Sequence, residues 1–162
     1  IDGREFRVSI WGNSQLVVLP PVEMDFSAFE DVRDRLCTYD AKFVPESVHY
    51  RKIETILPAA LTEAERRRLE RVSRLTYRAL GCRDYARMDI RLRNGIFFVL
   101  DVNPNADISF DASMAFAAEE AGYSYGAMGS YIARLAARRH AVFAPRRRRR
   151  RTETLAAMTA AE

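Results

Sequence analysis

The strongest constraint on the fold is a short segment in the second half of the chain, Arg93-Asn94-Gly95, which separates two stretches of strand-forming sequence. Asn-Gly is favoured in two-residue hairpin turns because both positions require positive backbone φ angles. Residues 84–92 alternate polar and apolar side chains, and residues 96–102 form a continuous apolar run. We therefore predict an antiparallel β-hairpin here and expect its second strand to be central in a sheet.

Further strand signals lie near the start of the chain. Residues 5–10 and 15–19 alternate about a Gly-Asn-Ser turn and predict a first hairpin, and residues 22–26 predict an edge strand. The next stretch is less regular. It is interpreted as a short helix or loop, a short strand and an irregular connection, at residues 29–37, 39–44 and 45–58.

Helix signals surround the central hairpin. Thr62 and Glu65 have the spacing of a capping box, and Gly81 occupies a helix-ending position, so residues 62–80 are predicted to be helical. Residues 112–121 and 124–139 predict two more helices. The order of these elements indicates an α+β fold, with a mainly antiparallel sheet and helices packed on one face.

Composition limits the class of protein. The chain has 162 residues, of which 48% are hydrophobic and 30% charged, so it is long enough for one globular domain and is neither collagen-like nor wholly disordered. The formal charge of +4 falls to −2 when the six consecutive arginines at positions 146–151 are left out. We therefore expect a mildly acidic domain over residues 1–140, followed by a flexible or helical Arg-rich tail over 141–162.

Cysteine content and hydropathy bear on location. Cys37 and Cys82 are too few for a disulfide framework, which favours a reducing compartment. The longest apolar stretches, at 16–22 and 96–100, are far shorter than the ~20 residues needed to span a bilayer. We expect a soluble, cytoplasmic protein.

Three polar residues interrupt the apolar pattern of the predicted hairpin. Asp101 and Asn103 are two apart on one strand and so share a face, and a tight turn near Gly95 places Asp89 opposite Asp101. Facing carboxylates repel unless a cation compensates them, and carboxylate and amide oxygens are Mg²⁺ ligands. Arg87 shares this face and could oppose an anion bound there.

Other interpretations of these residues stay open. Asp89 and Asp101 could be ordinary surface acids paired with arginines, or they could join Asp107 in a two-metal phosphoesterase. The arginines at 146–151 could instead make the chain a module that binds RNA or another polyanion. A charge run is usually only a solvated segment, and we expect no nucleic-acid partner.

Five segments in order along the chain share a pattern with a known family. They are Gly3-Arg4-Glu5-Phe6, Tyr39-Asp40-Ala41-Lys42-Phe43, Leu80-Gly81-Cys82 with Ala86-Arg87-Met88-Asp89, Leu100-Asp101-Val102-Asn103, and residues 117–125. Together they resemble the C-terminal ATP-grasp region of the D-alanine:D-alanine ligase family, over residues 1 to about 139. The resemblance implies an ATP- and Mg²⁺-dependent ligase that activates a carboxylate as an acyl phosphate and joins it to an amine.

The resemblance also implies roles for the four hairpin residues. Asp89, Asp101 and Asn103 would hold two Mg²⁺ ions, with Mn²⁺ as an acceptable substitute, and Asp101 would bridge both. Arg87 would be catalytic and stabilise the acyl phosphate. Asp101 stands where the family usually has a glutamate, so the acid here is one methylene shorter.

Three further residues would bind the nucleotide. By the same resemblance, Glu5 would bind the ribose hydroxyls, Lys42 would lie near the γ-phosphate and Leu100 would pack on the adenine. The matched region makes up only part of such an enzyme. We therefore expect the rest of the cleft to come from a preceding N-terminal part of the same protein, and the chain alone to lack turnover. A homodimer is left open.

The segment after Asn103 departs from the family pattern. The usual Pro-Gly and a following serine are replaced by Pro104-Asn105, and two additional acids appear at Asp107 and Asp111. We expect the acceptor to differ from D-alanine and to carry a cationic or amine group.

Overall fold

The computed structural model describes residues 1–144, apart from the side chains of Lys42 and Phe43. The arginines at 146–151 and most of the predicted tail lie outside the described residues, so the division of the chain at residue 140 stays a prediction. Within residues 1–144, the helices are too short or too polar to cross a membrane.

A six-stranded sheet forms the centre of the fold, and every strand pairing in it is antiparallel. The order is β4-β3-β1-β5-β6, and the short β2 pairs with the second half of β1. The strands are β1 (Arg4–Gly12), β2 (Leu16–Val18), β3 (Val22–Asp25), β4 (Glu54–Ile56), β5 (Tyr85–Arg93) and β6 (Ile96–Asn103). The predicted α+β class and both predicted hairpins are confirmed.

Among residues 1–144, five helices accompany the sheet, together with a 3₁₀ turn at Val32–Asp34. They are α1 (Tyr39–Phe43), α2 (Val48–Lys52), α3 (Glu63–Ala79), α4 (Ser113–Glu120) and α5 (Tyr125–Arg139). The capping box of α3 forms as predicted: the Thr62 hydroxyl accepts from the Glu65 backbone N–H, and the Glu65 carboxylate accepts from Thr62. The chain then turns at Gly81 with a φ of +64°.

The helices pack on both faces of the sheet, which refines the expectation of one covered face. Leu69 and Tyr77 of α3 pack on the face of β1 that carries Phe6 and Val8. Helices α4 and α5 instead surround Trp11, which points to the opposite face because strand side chains alternate. Burying a large side chain of this kind stabilises the fold by ~1.5–3 kcal/mol. Further along that face, the segment before α1 contacts the sheet: the Cys37 sulfur and the Arg35 carbonyl accept from Arg7 and Arg91.

Two predictions for residues 39–58 are wrong. The expected strand at 39–44 is helix α1, because the Thr38 hydroxyl caps the backbone N–H of Ala41 and starts a helical turn. The expected irregular connection contains helix α2, capped by Ser47, and then strand β4. Because β4 pairs with β3, β3 is not the edge strand that its sequence predicts.

The expectation for β6 is also wrong. β1 is the central strand, between β3 and β5, and β6 lies at the edge of the sheet formed by the described residues. The apolar run of β6 predicted burial on both faces. In the structure, Phe97 and Val99 pack towards α3, whereas Ile96 and Leu100 are about half exposed.

Candidate nucleotide and metal site

A β-bulge in the hairpin of β5 and β6 decides which of its side chains lie on the face opposite α3. The turn at Asn94 and Gly95 has φ values of 50° and 75°, which pairs Arg93 with Ile96 and, further along, Ile90 with Val99. The register then shifts by one residue, so Asp89 pairs with Asp101 and Leu100 is the extra residue. Without this bulge, Asp101 would lie opposite Met88, in the core beneath α3.

The predicted group of oxygen donors therefore lies together on one face. Asp89 and Asp101 are direct cross-strand partners, and Asn103 is the partner of Arg87 in the adjacent pair. Directly paired strand residues have Cβ atoms ~5 Å apart. The predicted pairing of the two carboxylates is confirmed, and they lie within reach of a common cation.

Arg87 is positioned by Asp89. Its Nε and Nη2 atoms donate to the two carboxylate oxygens at 3.1 and 3.3 Å, and both side chains are largely but not fully buried. Asp101 is exposed and makes no hydrogen bond with the described residues, whereas the Asn103 side-chain oxygen accepts from the backbone N–H of Asn105.

The donor chemistry fits a magnesium ion. Two carboxylates and an amide oxygen are hard ligands, and Mg²⁺ completes its shell with water and phosphate oxygens instead of a full protein cage. Among the described residues, no group of three or more His, Cys, Asp and Glu side chains is arranged to hold a metal. The phosphoesterase alternative needs Asp107 beside the other two aspartates, and the described residues form no such group of three.

Leu100 and Lys42 are the residues predicted to bind adenine and to lie near the γ-phosphate. Leu100 is 47% exposed at the bulge and lies outside the apolar clusters, so it is not a core residue. Lys42 belongs to α1, which begins after a loop that crosses the same face, but its side chain lies outside the described part of the structure. Both assignments stay predictions.

Glu5 has a partner that the sequence did not reveal. Its carboxylate is 5% exposed and accepts from Arg91 Nε at 2.8 Å. Arg91 also donates to the backbone carbonyls of Ile1 and Arg35 and lies over the Phe26 ring, 5.7 Å from its centroid. In the sequence, the position of Arg91 two residues after Asp89 was the one indication that it lies near the site. Its partner Glu5 is 86 positions away in the chain, so the pair itself could not be inferred.

The two additional acids after Asn103 are exposed. Asp107 accepts from the Ser109 hydroxyl and backbone N–H at 2.6 and 2.8 Å, and these bonds lower its pKa. Asp111 is also exposed, and beside it Phe110 is 71% exposed and packs edge-on against Tyr125. All three residues follow the end of β6, and Asp107 lies close enough to Arg87 for that charge to lower its pKa further.

Comparison with known proteins identifies the family. The model of the family described as "D-ala D-ala ligase C-terminus" matches residues 1–133. The uncharacterized protein y4sG of Sinorhizobium fredii is 37% identical over 145 residues, which cover 86% of this chain and 40% of that protein. A D-alanine--D-alanine ligase of Carboxydothermus hydrogenoformans is 32% identical over 127 residues, covering 77% of this chain and 37% of the ligase.

Solved structures show the same fold. The D-alanine--D-alanine ligase of Bacillus anthracis, determined in complex with ATP, superposes with a TM-score of 0.64 at 22% identity and covers 85% of this chain and 38% of that chain. The VanG D-Ala:D-Ser ligase of Enterococcus faecalis also gives 0.64 at 22% identity, covering 83% and 36%. The chain thus spans about two fifths of the length of the proteins it matches. By its family match and its fold, it belongs to the D-alanine--D-alanine ligase family, as the C-terminal region of an ATP-grasp enzyme.

Proposed function

We propose that this chain is the metal- and nucleotide-binding part of an ATP-dependent ligase that activates a carboxylate as an acyl phosphate and joins it to an amine. The observation that carries the proposal is the direct pairing of Asp89 with Asp101, beside Arg87, on one face of the sheet. The family uses ATP with divalent metal ions. Since the chain spans two fifths of its relatives, we propose that a preceding segment of the same protein completes the nucleotide cleft.

The side chains divide the work as follows. Asp89, Asp101 and Asn103 would hold two Mg²⁺ ions, which supply charge neutralisation for the nucleotide phosphates when bound. Arg87 is held in place by Asp89, so its guanidinium is preorganised to stabilise negative charge on an acyl phosphate. Leu100 presents an exposed apolar surface on which an adenine ring can pack.

The permanent charge of Arg87 limits the part it can play in proton transfer. Arginine keeps its charge at physiological pH, so Arg87 can stabilise an anion but cannot remove a proton from an amine. The amine must therefore reach the acyl phosphate already deprotonated, or lose its proton to a group outside this set. We propose that Asp107 and Asp111, which are exposed beside the site, attract a cationic or amine-bearing acceptor.

Binding of Mg·ATP to the 162-residue chain tests the metal assignment. Isothermal titration calorimetry should show magnesium-dependent binding that Asp101→Asn weakens at least about tenfold, because one charged ligand is lost. Glu120→Gln, which removes an exposed charge from α4, is the matched control and should leave the affinity unchanged. Equal binding by Asp101→Asn and the unchanged chain would contradict the proposal.

Trapping of the intermediate tests the chemistry in the protein that includes the preceding segment. Hydroxylamine converts an acyl phosphate to a hydroxamate, so ATP-dependent hydroxamate formation should be seen with a series of amino acids, D-alanine among them. Arg87→Met should reduce the rate about 10²-fold or more if the guanidinium stabilises developing charge. An unchanged rate would remove Arg87 from the reaction.

The acceptor assignment has its own test. An Asp107→Asn, Asp111→Asn double variant should raise the KM for the amine and leave hydroxamate formation unchanged, since activation precedes capture of the acceptor. Full acceptor affinity in the double variant would remove these acids from the acceptor site.

A further inference from the structure

Arg7 occupies a position in the site that the family pattern does not assign. It lies on β1 directly opposite Asp89, which in turn lies opposite Asp101, so the three residues form one cross-strand row. Strand alternation places their side chains on the same face, the one that carries Trp11 further along β1. Arg7 is therefore a neighbour of the predicted metal ligands.

The Arg7 guanidinium has no counter-ion among the described residues. Both carboxylate oxygens of Asp89 are used by Arg87, and Arg7 itself donates through Nη2 to the Cys37 sulfur at 2.7 Å. Its Nε is buried and has no hydrogen-bond partner in the described structure. A thiol is a weak acceptor, so this cation keeps most of its hydrogen-bonding capacity unused.

A second unpartnered group lies beside it. Ser9 is two residues along β1 on the same face, opposite Arg87, and is 1% exposed. Its hydroxyl also lacks a hydrogen-bond partner within the described residues. Leaving a buried polar group unsatisfied costs ~1–3 kcal/mol, so two such groups on adjacent rows indicate that a ligand or ordered water completes this part of the site.

We propose that Arg7 binds a phosphate oxygen of the nucleotide's polyphosphate chain, as an anion-binding residue additional to those of the family pattern. The proposal rests on the proposed function and extends it. A phosphate is favoured over a carboxylate because Arg7 shares its row with Asp89 and Asp101, and metal ions on those aspartates would draw phosphate oxygens to them. The guanidinium can donate two parallel hydrogen bonds to a phosphate.

The test uses inorganic tripolyphosphate with Mg²⁺, which carries the phosphate chain without adenosine. Calorimetric titration of the 162-residue chain should give an affinity that Arg7→Gln weakens about tenfold or more, with partial recovery in Arg7→Lys, which restores charge but not the planar donor pair. Arg33→Gln is the matched control, because Arg33 is exposed and pairs only with its neighbour Asp31; it should bind like the unchanged chain.

The outcomes separate this inference from the proposed function. Tripolyphosphate binding that is weakened by Asp101→Asn but unaffected by Arg7→Gln would overturn the role of Arg7 and leave the ligase proposal standing. In the protein that includes the preceding segment, failure to bind tripolyphosphate, or displacement of bound tripolyphosphate by excess acetate, would also overturn it. If Arg7→Gln does not fold, as judged by circular dichroism, the Arg7→Lys variant is the test. A tripolyphosphate affinity of Arg7→Lys equal to that of the unchanged chain would contradict phosphate binding through the planar donor pair of Arg7.

Discussion

Two arginine–carboxylate pairs on neighbouring rows of one sheet face serve different ends. Arg91 and Glu5 are 4% and 7% exposed, and Arg91 also bonds two backbone carbonyls. Arg87 and Asp89 are 14% and 19% exposed, and Arg87 donates only to Asp89 among the described residues. Two arginines four positions apart on β5 thus form a closed pair with Glu5 and an available pair with Asp89.

The difference shows how surroundings assign a role to an ion pair. A buried pair repays its desolvation only when further hydrogen bonds satisfy its atoms, and Arg91 meets that condition by holding residues 1 and 35 against the sheet. Asp89 lies between three arginines and faces Asp101, an exposed acid without a hydrogen-bond partner among the described residues. The first pair therefore stabilises the fold, and the second can exchange partners when a ligand binds.

Removing one partner of the closed pair should have the largest effect. We expect Arg91→Met to lower the free energy of unfolding by about 3–5 kcal/mol, because it leaves the Glu5 carboxylate buried and unpaired. Urea denaturation measures this. Arg33→Met, which breaks a fully exposed pair, should have a much smaller effect, because solvent screens such a pair. Equal losses in the two variants would show that the Glu5–Arg91 pair is not structural.

A third pair extends the comparison to pH. The Asp84 carboxylate accepts from the Nε and Nη2 atoms of Arg139, at 2.9 and 2.7 Å from Oδ2, with Nε also 3.1 Å from Oδ1, and it accepts from Asn13. Burial opposes its ionisation, but these bonds outweigh burial and hold its pKa below the ordinary value of 3.8. Its stabilising contribution is therefore complete above that value and is lost as the pH falls through the lower folded pKa.

Substitution of Asp84 should remove that dependence. Asp84→Asn is expected to cost ~2 kcal/mol at neutral pH, since a charge-assisted pair is lost. The difference from the unchanged chain should shrink as unfolding is measured from pH 6 down to pH 3. A constant difference over this range would rule out Asp84 as the titrating group.

Substitutions of the two facing aspartates, Asp89 and Asp101, should differ in their effect on stability but agree in their effect on ligand binding. Asp89→Asn should cost ~1 kcal/mol because Arg87 loses its anion, whereas Asp101→Asn should change stability by less than ~0.5 kcal/mol, since its carboxylate is exposed and unpaired in the described structure. Both should weaken Mg·ATP binding about tenfold. A large stability loss in Asp101→Asn would mean that it has a structural partner.

The smallest expected effect on stability concerns Leu100, the extra residue of the β-bulge. Leu100→Ala should lower stability by less than ~0.5 kcal/mol and weaken ATP binding while leaving tripolyphosphate binding unchanged, because only ATP carries adenine. Ile96→Ala, at an exposed apolar position on the same strand, is the matched control and should affect neither ligand. Equal effects on both ligands would contradict adenine packing on Leu100.

Local signals predicted much of the fold. The Asn94-Gly95 turn and the Thr62–Glu65 capping box are formed by residues within three positions of each other, so their physics is contained in short segments. The pairing of Asp89 with Asp101 could also be inferred, because a tight turn limits the register of its two strands. The segment over 39–58 was misread because its short helices depend on side-chain caps at Thr38 and Ser47 that compete with strand-like apolar spacing.

The sequence by itself determined the hairpin, the long helix and the residue types gathered for magnesium and phosphate. Only the tertiary structure decided that Glu5 is enclosed with Arg91, that Arg7 faces Asp89 without a counter-ion among the described residues, and that β1 is the central strand. These features depend on pairing β1 with β5 across some 80 intervening residues. Local propensity carries no information about such a pairing, because it is selected by burial of the whole sheet between its helices.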